Sequence, residues 1–335
     1  MITFYTNTKT LIPANRKIVF PLLFDVFYLK NPVAISNFYF QDEPDRADIH
    51  IFPLELTSIY NSGKRKDWFD FLDEARKLNK IVWVYTGGDF GITLPFNNNL
   101  YTFRLGGFNS KLDTNTHVIP SFINDPISVL GLKWFIIEKN IKPSVGFVGH
   151  SNGSFSKIIK EFLIYTKHQI KRSLKIDKTD YQFFYPSSNK RFHLLEVLKN
   201  ASNIDTKFIY RAKYRAGANS QLDKVNTTLE FFKNIQENLY TFCMRGSGNF
   251  SVRFYETLIM GRIPIILDTD IRLPLHDKIN WEKHCIIVKE NDCIQKIIEF
   301  HESKTNEELK NIQYANRQLM LNKLNRIDYF FQILD

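Results

Sequence analysis

The stretch FCMRGSGNFSVRFYETLIMGRIPIILDTD, residues 242–270, decides how the rest of the chain is read. Its apolar start reads as a strand, RGSGNFS as a loop, VRFYETLIM as a helix and RIPIILD as a second buried strand. Loops at the carboxyl end of a parallel strand, directly before a helix, are where open α/β sheets bind ligands. Ser251 is a favourable N-cap, and the amides of Val252, Arg253 and Phe254 after it can face an anion. Gly246 and Gly248 allow a close backbone approach or a positive φ. Arg253 and Glu256, three apart, share one helix face, while Phe254 and Leu258 share another that suits a sheet. A guanidinium forks onto a phosphate and a carboxylate accepts two ribose hydroxyls, so this one turn of helix suits a nucleotide.

Working outward, residues 1–142 alternate strand and helix. IVFP, ADIHIFPL and IVWVYTGGDFG read as strands, and DWFDFLDEARKLNK as a helix with Trp68, Phe69, Leu72 and Ala75 on one stripe. A second unit starts near Pro143, with strands VGFVGHSNG, KFIYRAKY, LYTFCMR, RIPIILD and HCIIV and helices between them. Two successive α/β units with parallel sheets are expected. Residues 307–335 read as helix, ending in the aromatic run DYFFQIL, which is expected to dock on a domain surface.

A chain of 335 residues supports two cores. Cys243, Cys285 and Cys293 offer neither a disulfide framework nor zinc spacing, so no metal site is expected. The first residues lack the apolar core of a signal peptide, and no run is long enough to span a bilayer; a cytoplasmic protein is expected. Nine of the ten net positive charges fall between residues 157 and 215. Such a patch attracts nucleic acid, anionic headgroups or a phosphorylated small molecule, although a merely solvated helix face gives the same composition.

Three rival readings meet at the central loop. GSGNFS spells a dinucleotide fingerprint without its third glycine, with Asp268 about twenty residues on, and so leaves an NAD(P)-dependent oxidoreductase open. Asp268-Thr269-Asp270 has the form of a metal-binding D-x-D pair, although aspartates also simply end strands. A Walker loop is absent. A basic nucleic-acid-binding protein would use the charged region with Tyr181, Phe183 and Phe184 between its cations, without a known module signature.

The run from Thr241 to Val288 resembles the carboxyl-terminal signature of the exostosin-like glycosyltransferases: an Arg-Gly loop, a serine, an Arg-Phe-x-Glu helix, a Gly-x-Ile-Pro strand and a Leu-Pro step, in that order. ADIHIFPLE and VYTGGDFG are fainter echoes upstream. The resemblance implies a GT-B architecture, two Rossmann-like domains with parallel sheets facing across a cleft. The expected division is 1–142 on the acceptor side, 143–306 holding a nucleotide-sugar donor of the UDP or GDP type, and 307–335 packing back on the first domain. It further implies that Arg245, Gly246, Ser247, Gly248, Asn249 and Ser251 cradle the diphosphate, that Arg253 binds it, that Glu256 takes the ribose, and that no metal or other cofactor is required. The chain is shorter than animal and plant members and has no membrane anchor at its start. That suits a bacterial-like version building a surface polysaccharide on a glycan or lipid-linked acceptor.

An inverting transfer needs a base on the acceptor hydroxyl. Asp89, in the turn GGDFG at a strand's carboxyl end, is the first candidate; Glu55 and His150 follow it. Arg211 and Lys213 alternate along a strand, so both can add positive charge beside the diphosphate. The remaining cations can hold the protein at an anionic membrane surface, peripherally on its inner face; nucleic acid is not expected as a partner.

Overall fold

The computed structural model describes residues 2–95, 97–212, 217 and 220–334. Its strands form two sheets in which every pairing is parallel. The first contains β1 (Thr3–Tyr5), β2 (Tyr39–Phe40), β3 (Ile49–Ile51), β4 (Ile81–Tyr85), β5 (Leu100–Arg104) and β6 (Thr116–Val118), in spatial order β2-β1-β3-β4-β5-β6. The second contains β7 (Ser144–His150), β8 (Asp205–Arg211), β9 (Tyr240–Cys243), β10 (Ile263–Leu267) and β11 (Ile286–Val288), in spatial order β11-β10-β9-β7-β8. Both sheets are therefore doubly wound. In each, the order reverses beside the first strand, and such a reversal opens a crevice at the carboxyl edge. In the second sheet that crevice lies between β7 and β9.

The long apolar runs became buried strands: all five residues of β10 are buried, as are Val82, Trp83 and Val84 of β4. The helix Arg65–Lys77 buries Trp68, Phe71, Leu72 and Ala75. Phe69, expected on that stripe, is 49% exposed, because the i, i+3, i+4, i+7 spacing from Trp68 selects Phe71 instead. IVFP is not a strand. Val19 makes a single bridge to Leu54, and Pro21 opens a helical turn, Pro21–Leu23, where a fixed φ is an advantage.

The sheets meet carboxyl edge to carboxyl edge along a polar seam. Phe108 bridges Ile271, and the Asn109 amide donates to the Asp270 carbonyl at 2.7 Å. The Arg272 guanidinium donates to the carbonyls of Leu112 and Asp113, both at 2.6 Å. The chain's final helices divide between the two units. In the helix Asn306–Asn322, Asn316 donates to the Arg262 carbonyl at 2.9 Å, on the second unit. The helix Asp328–Leu334 lies on the first unit, with Phe330 against Phe20, Trp83 and Phe103 and Phe331 stacked on Phe38 at 4.6 Å. One apolar cluster consequently runs from the first sheet through both final helices to the helix Val252–Ile259, which ties the two units together.

Candidate anion site at the switch point of the second sheet

β9 ends in Cys243, and the chain turns through Arg245–Ser251 into the helix Val252–Ile259, as the sequence pattern predicts. Ser251 occupies the N-cap position with extended backbone, but its hydroxyl makes no capping bond. Arg245 is 4% exposed; it donates to Gln182 Oε1 at 3.0 Å and to the Ser247 carbonyl at 2.7 Å. Its guanidinium lies over the Tyr185 ring at 4.7 Å and near Phe108 of the first unit at 5.4 Å. Arg253 does not turn back onto its own loop. It reaches across to β7, donating to the Val148 carbonyl at 2.8 Å and lying 4.3 Å from the Phe147 ring centre.

A third arginine completes the group. Arg191, on the helix Ser187–Lys199, donates to the carbonyls of His150 at 2.8 Å and Arg245 at 3.0 Å, joining the ends of β7 and β9. Burial and the neighbouring Arg253 lower the Arg191 guanidinium to about 10, and burial likewise holds Arg245 and Arg253 below their ordinary range. In each of the three arginines the Nε is buried and without a hydrogen-bond partner. The hydroxyls of Tyr185, Ser151 and Ser188 are buried and unpartnered too. Among the described residues no carboxylate forms an ion pair with any of these three arginines. Buried charge without a partner is costly, and unfilled donors cost about 1–3 kcal/mol each, which makes the cluster a candidate anion site.

Glu256 stands one turn along the same helix. It makes no ion pair with Arg253 and accepts no side-chain hydrogen bond among the described residues. Burial raises its carboxyl to about 7, with Arg253 acting the other way. A carboxyl so perturbed by burial beside a cationic crevice marks a candidate functional group.

The two glycines of the loop differ, the second serving the fold. Neither has a positive φ. A Cβ on Gly248 would overlap the Asp89 carbonyl oxygen and the Phe250 ring, whereas Gly246 faces open space. The face of the second glycine is thus filled by the GGDFG turn, which removes the room a dinucleotide fingerprint needs for its pyrophosphate. Asn249, expected in the cradle, is instead an interdomain clamp, 1% exposed, donating to the carbonyls of Gly107 and Thr269 at 3.0 Å each and accepting from Thr269 Oγ1 at 2.6 Å. Ser247 is exposed. The D-x-D pair belongs to the seam as well: Asp270, at φ 59, accepts from the Ser110 amide at 3.1 Å and the Ser110 hydroxyl at 2.5 Å.

The three candidate bases separate. Asp89 is exposed on the turn after β4, its backbone against Gly248 and so beside the anion loop. Glu55 is 8% exposed and fully engaged: it caps the helix Leu56–Asn61 by accepting from the amides of Thr57 at 2.7 Å and Ser58 at 2.8 Å, and it accepts from the Gly87 amide at 2.8 Å and the Ser58 hydroxyl at 2.6 Å. A carboxylate filled by four donors is a strut that fixes the GGDFG turn, and with no lone pair left open it does not serve as the base expected from the sequence. His150 ends β7 on the second sheet; its Nδ1 pairs with the Arg211 carbonyl at 3.1 Å and its own carbonyl anchors Arg191, so it shapes the floor of the site. Arg211 turns away to Glu230 Oε2 at 2.6 Å and the Thr227 carbonyl at 2.7 Å. Lys213 lies outside the described residues.

Comparison with known proteins bears on the segment holding this site. The family model of the Exostosin GT47 domain matches residues 161–303, which contain Arg191, the Arg245–Ser251 loop, Arg253 and Glu256. This match agrees with the resemblance to exostosin-like glycosyltransferases read in the sequence, over less than half of the chain. A probable glucuronosyltransferase of Oryza sativa subsp. japonica is 34% identical over 65 residues, covering 19% of this chain and 16% of that protein. A probable glucuronosyltransferase of Physcomitrium patens is 37% identical over 62 residues (18% and 14%), and a probable β-1,4-xylosyltransferase of Arabidopsis thaliana is 34% identical over 62 residues (18% and 15%). The chain therefore spans less than a fifth of the length of these relatives. Among solved structures, a glycosyltransferase from Rickettsia africae aligns over 99% of this chain and 97% of its own at 12% identity and a TM-score of 0.39. No helix among the described residues is long and apolar enough to cross a membrane.

Proposed function

We propose that the protein transfers a sugar from a nucleoside-diphosphate sugar, of the UDP or GDP type, to a hydroxyl of a glycan or lipid-linked acceptor in surface polysaccharide synthesis. The observation that carries this reading is the trio Arg191, Arg245 and Arg253 at the switch point, Arg245 buried and the other two half-buried, each with a buried, unfilled Nε and with no carboxylate counter-ion among the described residues. Such a cluster suits a diphosphate, and it suits the departing diphosphate more than the bound donor, because negative charge grows there as the glycosidic bond breaks. Glu256, one turn away, accepts the ribose hydroxyls.

The proposed transfer is inverting. The acceptor hydroxyl attacks the anomeric carbon, Asp89 takes its proton, the bond from that carbon to the diphosphate oxygen breaks, and the arginines hold the leaving group. Three guanidiniums supply the charge stabilisation that a divalent ion supplies elsewhere, so the reaction proceeds in this reading without a bound metal. Thermal melting with UDP, GDP, NAD(H) and oligonucleotides, followed by a hydrolysis panel of nucleotide sugars, tests the proposal. Stabilisation by UDP or GDP that persists in EDTA is expected; stabilisation by NAD(H) or oligonucleotides alone would overturn it.

A further inference from the structure

The helix Phe155–Ser173 is built inside out. Across its 19 residues none is buried. Phe155, Ile159, Phe162, Leu163 and Ile170 fall on one stripe by the helical period, and each is between 46% and 73% exposed. The face turned to the protein is polar instead: Glu161, Tyr165, His168 and Arg172 are partly buried, with Arg172 donating to the carbonyls of Thr179 at 3.0 Å and Asp180 at 2.7 Å and His168 meeting Asp177 at 3.6 Å. Beside the apolar stripe runs a row of exposed lysines, Lys160, Lys167 and Lys171, none of them in an ion pair among the described residues.

A solvated surface helix has the opposite arrangement, with its apolar stripe toward the core. An outward stripe of Phe, Ile and Leu with lysines along its border is the pattern of a helix lying in a membrane interface, its rings among the acyl chains and its ammonium groups at the headgroups. We infer that Phe155–Ser173 is a peripheral docking element for anionic bilayers. The charge selects this occupant over a second copy of the chain: the exposed face carries no acidic row to meet the lysines, because Glu161 is turned inward toward Lys157 at 3.6 Å.

The helix and the segment that follows it also lie beside the GGDFG turn. His168 meets the Phe90 ring of the GGDFG turn at 6.1 Å, the Asp180 amide donates to the Gly91 carbonyl at 3.0 Å, and the Asp180 carboxylate pairs with Arg104 at 2.8 Å. A membrane bound there would bring a lipid-linked acceptor up beside Asp89. This last step rests on the transferase reading, whereas the docking itself stands on the helix alone.

Vesicle flotation of the full chain tests it, using phosphatidylcholine alone and phosphatidylcholine with about a third phosphatidylglycerol. Binding to the anionic vesicles only, weakened by salt, is expected. Replacing Lys160, Lys167 and Lys171 by Gln should weaken it roughly 100-fold at low salt, and Phe162→Asp with Leu163→Asp should abolish it. All five side chains are exposed, so melting temperature and stabilisation by UDP or GDP should match the parent protein in both variants; that readout separates failure of docking from failure of the transferase reading. Wild-type protein that leaves both vesicle types unbound would overturn the inference, as would a stable dimer in light scattering that Phe162→Asp converts to monomer.

Discussion

Replacing Arg191 by Met puts the anion site to its sharpest test, because the residue carries opposing contributions whose balance can be worked from the structure. A guanidinium lowered to about 10 by burial and by Arg253 has its charged form disfavoured by on the order of 3 kcal/mol. Methionine removes that penalty while keeping much of the apolar stem. Against this stand the carbonyls of His150 and Arg245, which lose their donor, at about 1–3 kcal/mol each. These effects nearly cancel, so the ligand-free protein should melt within a few degrees of wild type. Binding does not cancel. Losing a charged donor from a buried phosphate contact costs about 2–5 kcal/mol, a weakening of UDP or GDP affinity by roughly 30-fold or more. Calorimetric titration of the ligand beside thermal melting of the free protein reads both sides. Affinity unchanged within about twofold alongside a melting point lowered by about ten degrees would refute the reasoning and make Arg191 a strut between β7 and β9.

Asp89→Asn should lower turnover by about 10²–10⁴-fold with UDP or GDP affinity unchanged, measured by steady-state kinetics and titration; parallel loss of affinity would remove Asp89 from the base's role. Gly248→Ala should cost about 1–3 kcal/mol in urea unfolding, since the new methyl meets the Asp89 carbonyl and the Phe250 ring, and an unperturbed protein would show that the turn can give way. Glu256 sets a pH dependence. Its carboxyl is raised from 4.5 to about 7, so it contributes stability that is fully present below about pH 4.5 and lost as pH rises through about 7. Glu256→Gln should therefore gain on wild type by about 2 kcal/mol between pH 5 and pH 8 in urea titrations, allowing for the part of the carboxyl open to the cleft. A constant difference across that range would contradict the assigned environment.

The fold was legible where apolar runs were long. IPIIL and IVWVY had to be buried on both faces, and the helix between β3 and β4 announced itself by its period. β1, β2 and β6 have two or three residues each, too few for alternation or an apolar run to register, and they are held by their parallel neighbours. The site was half legible for a related reason. Arg245, Arg253 and Glu256 lie in one continuous signature, but Arg191 opens no motif; it looked like one more cation of a basic stretch, on a helix whose buried Leu194, Leu195 and Leu198 come only after its polar start. Glu55 reads in the sequence as a candidate base because one of its four donors, Gly87, comes from another strand end.

These placements give the seven residues Arg245–Ser251 two tasks whose geometry conflicts unless they are divided. Asn249 and Gly248 face the first unit, where Asn249 clamps Gly107 and Gly248 admits the Asp89 carbonyl, while Arg245 stays on the second unit, its carbonyl held by Arg191. Shifting the loop toward the seam would pull Arg245 from Arg191; shifting it toward the arginines would open a gap behind Gly248. The loop is therefore fixed from both sides, and the proposed diphosphate site and the turn bearing Asp89 keep one distance without either touching a ligand. That is the preorganisation that the proposed in-line displacement would use, and Glu55, which holds the same turn through the Gly87 amide, would serve the proposed transfer without touching the reacting atoms.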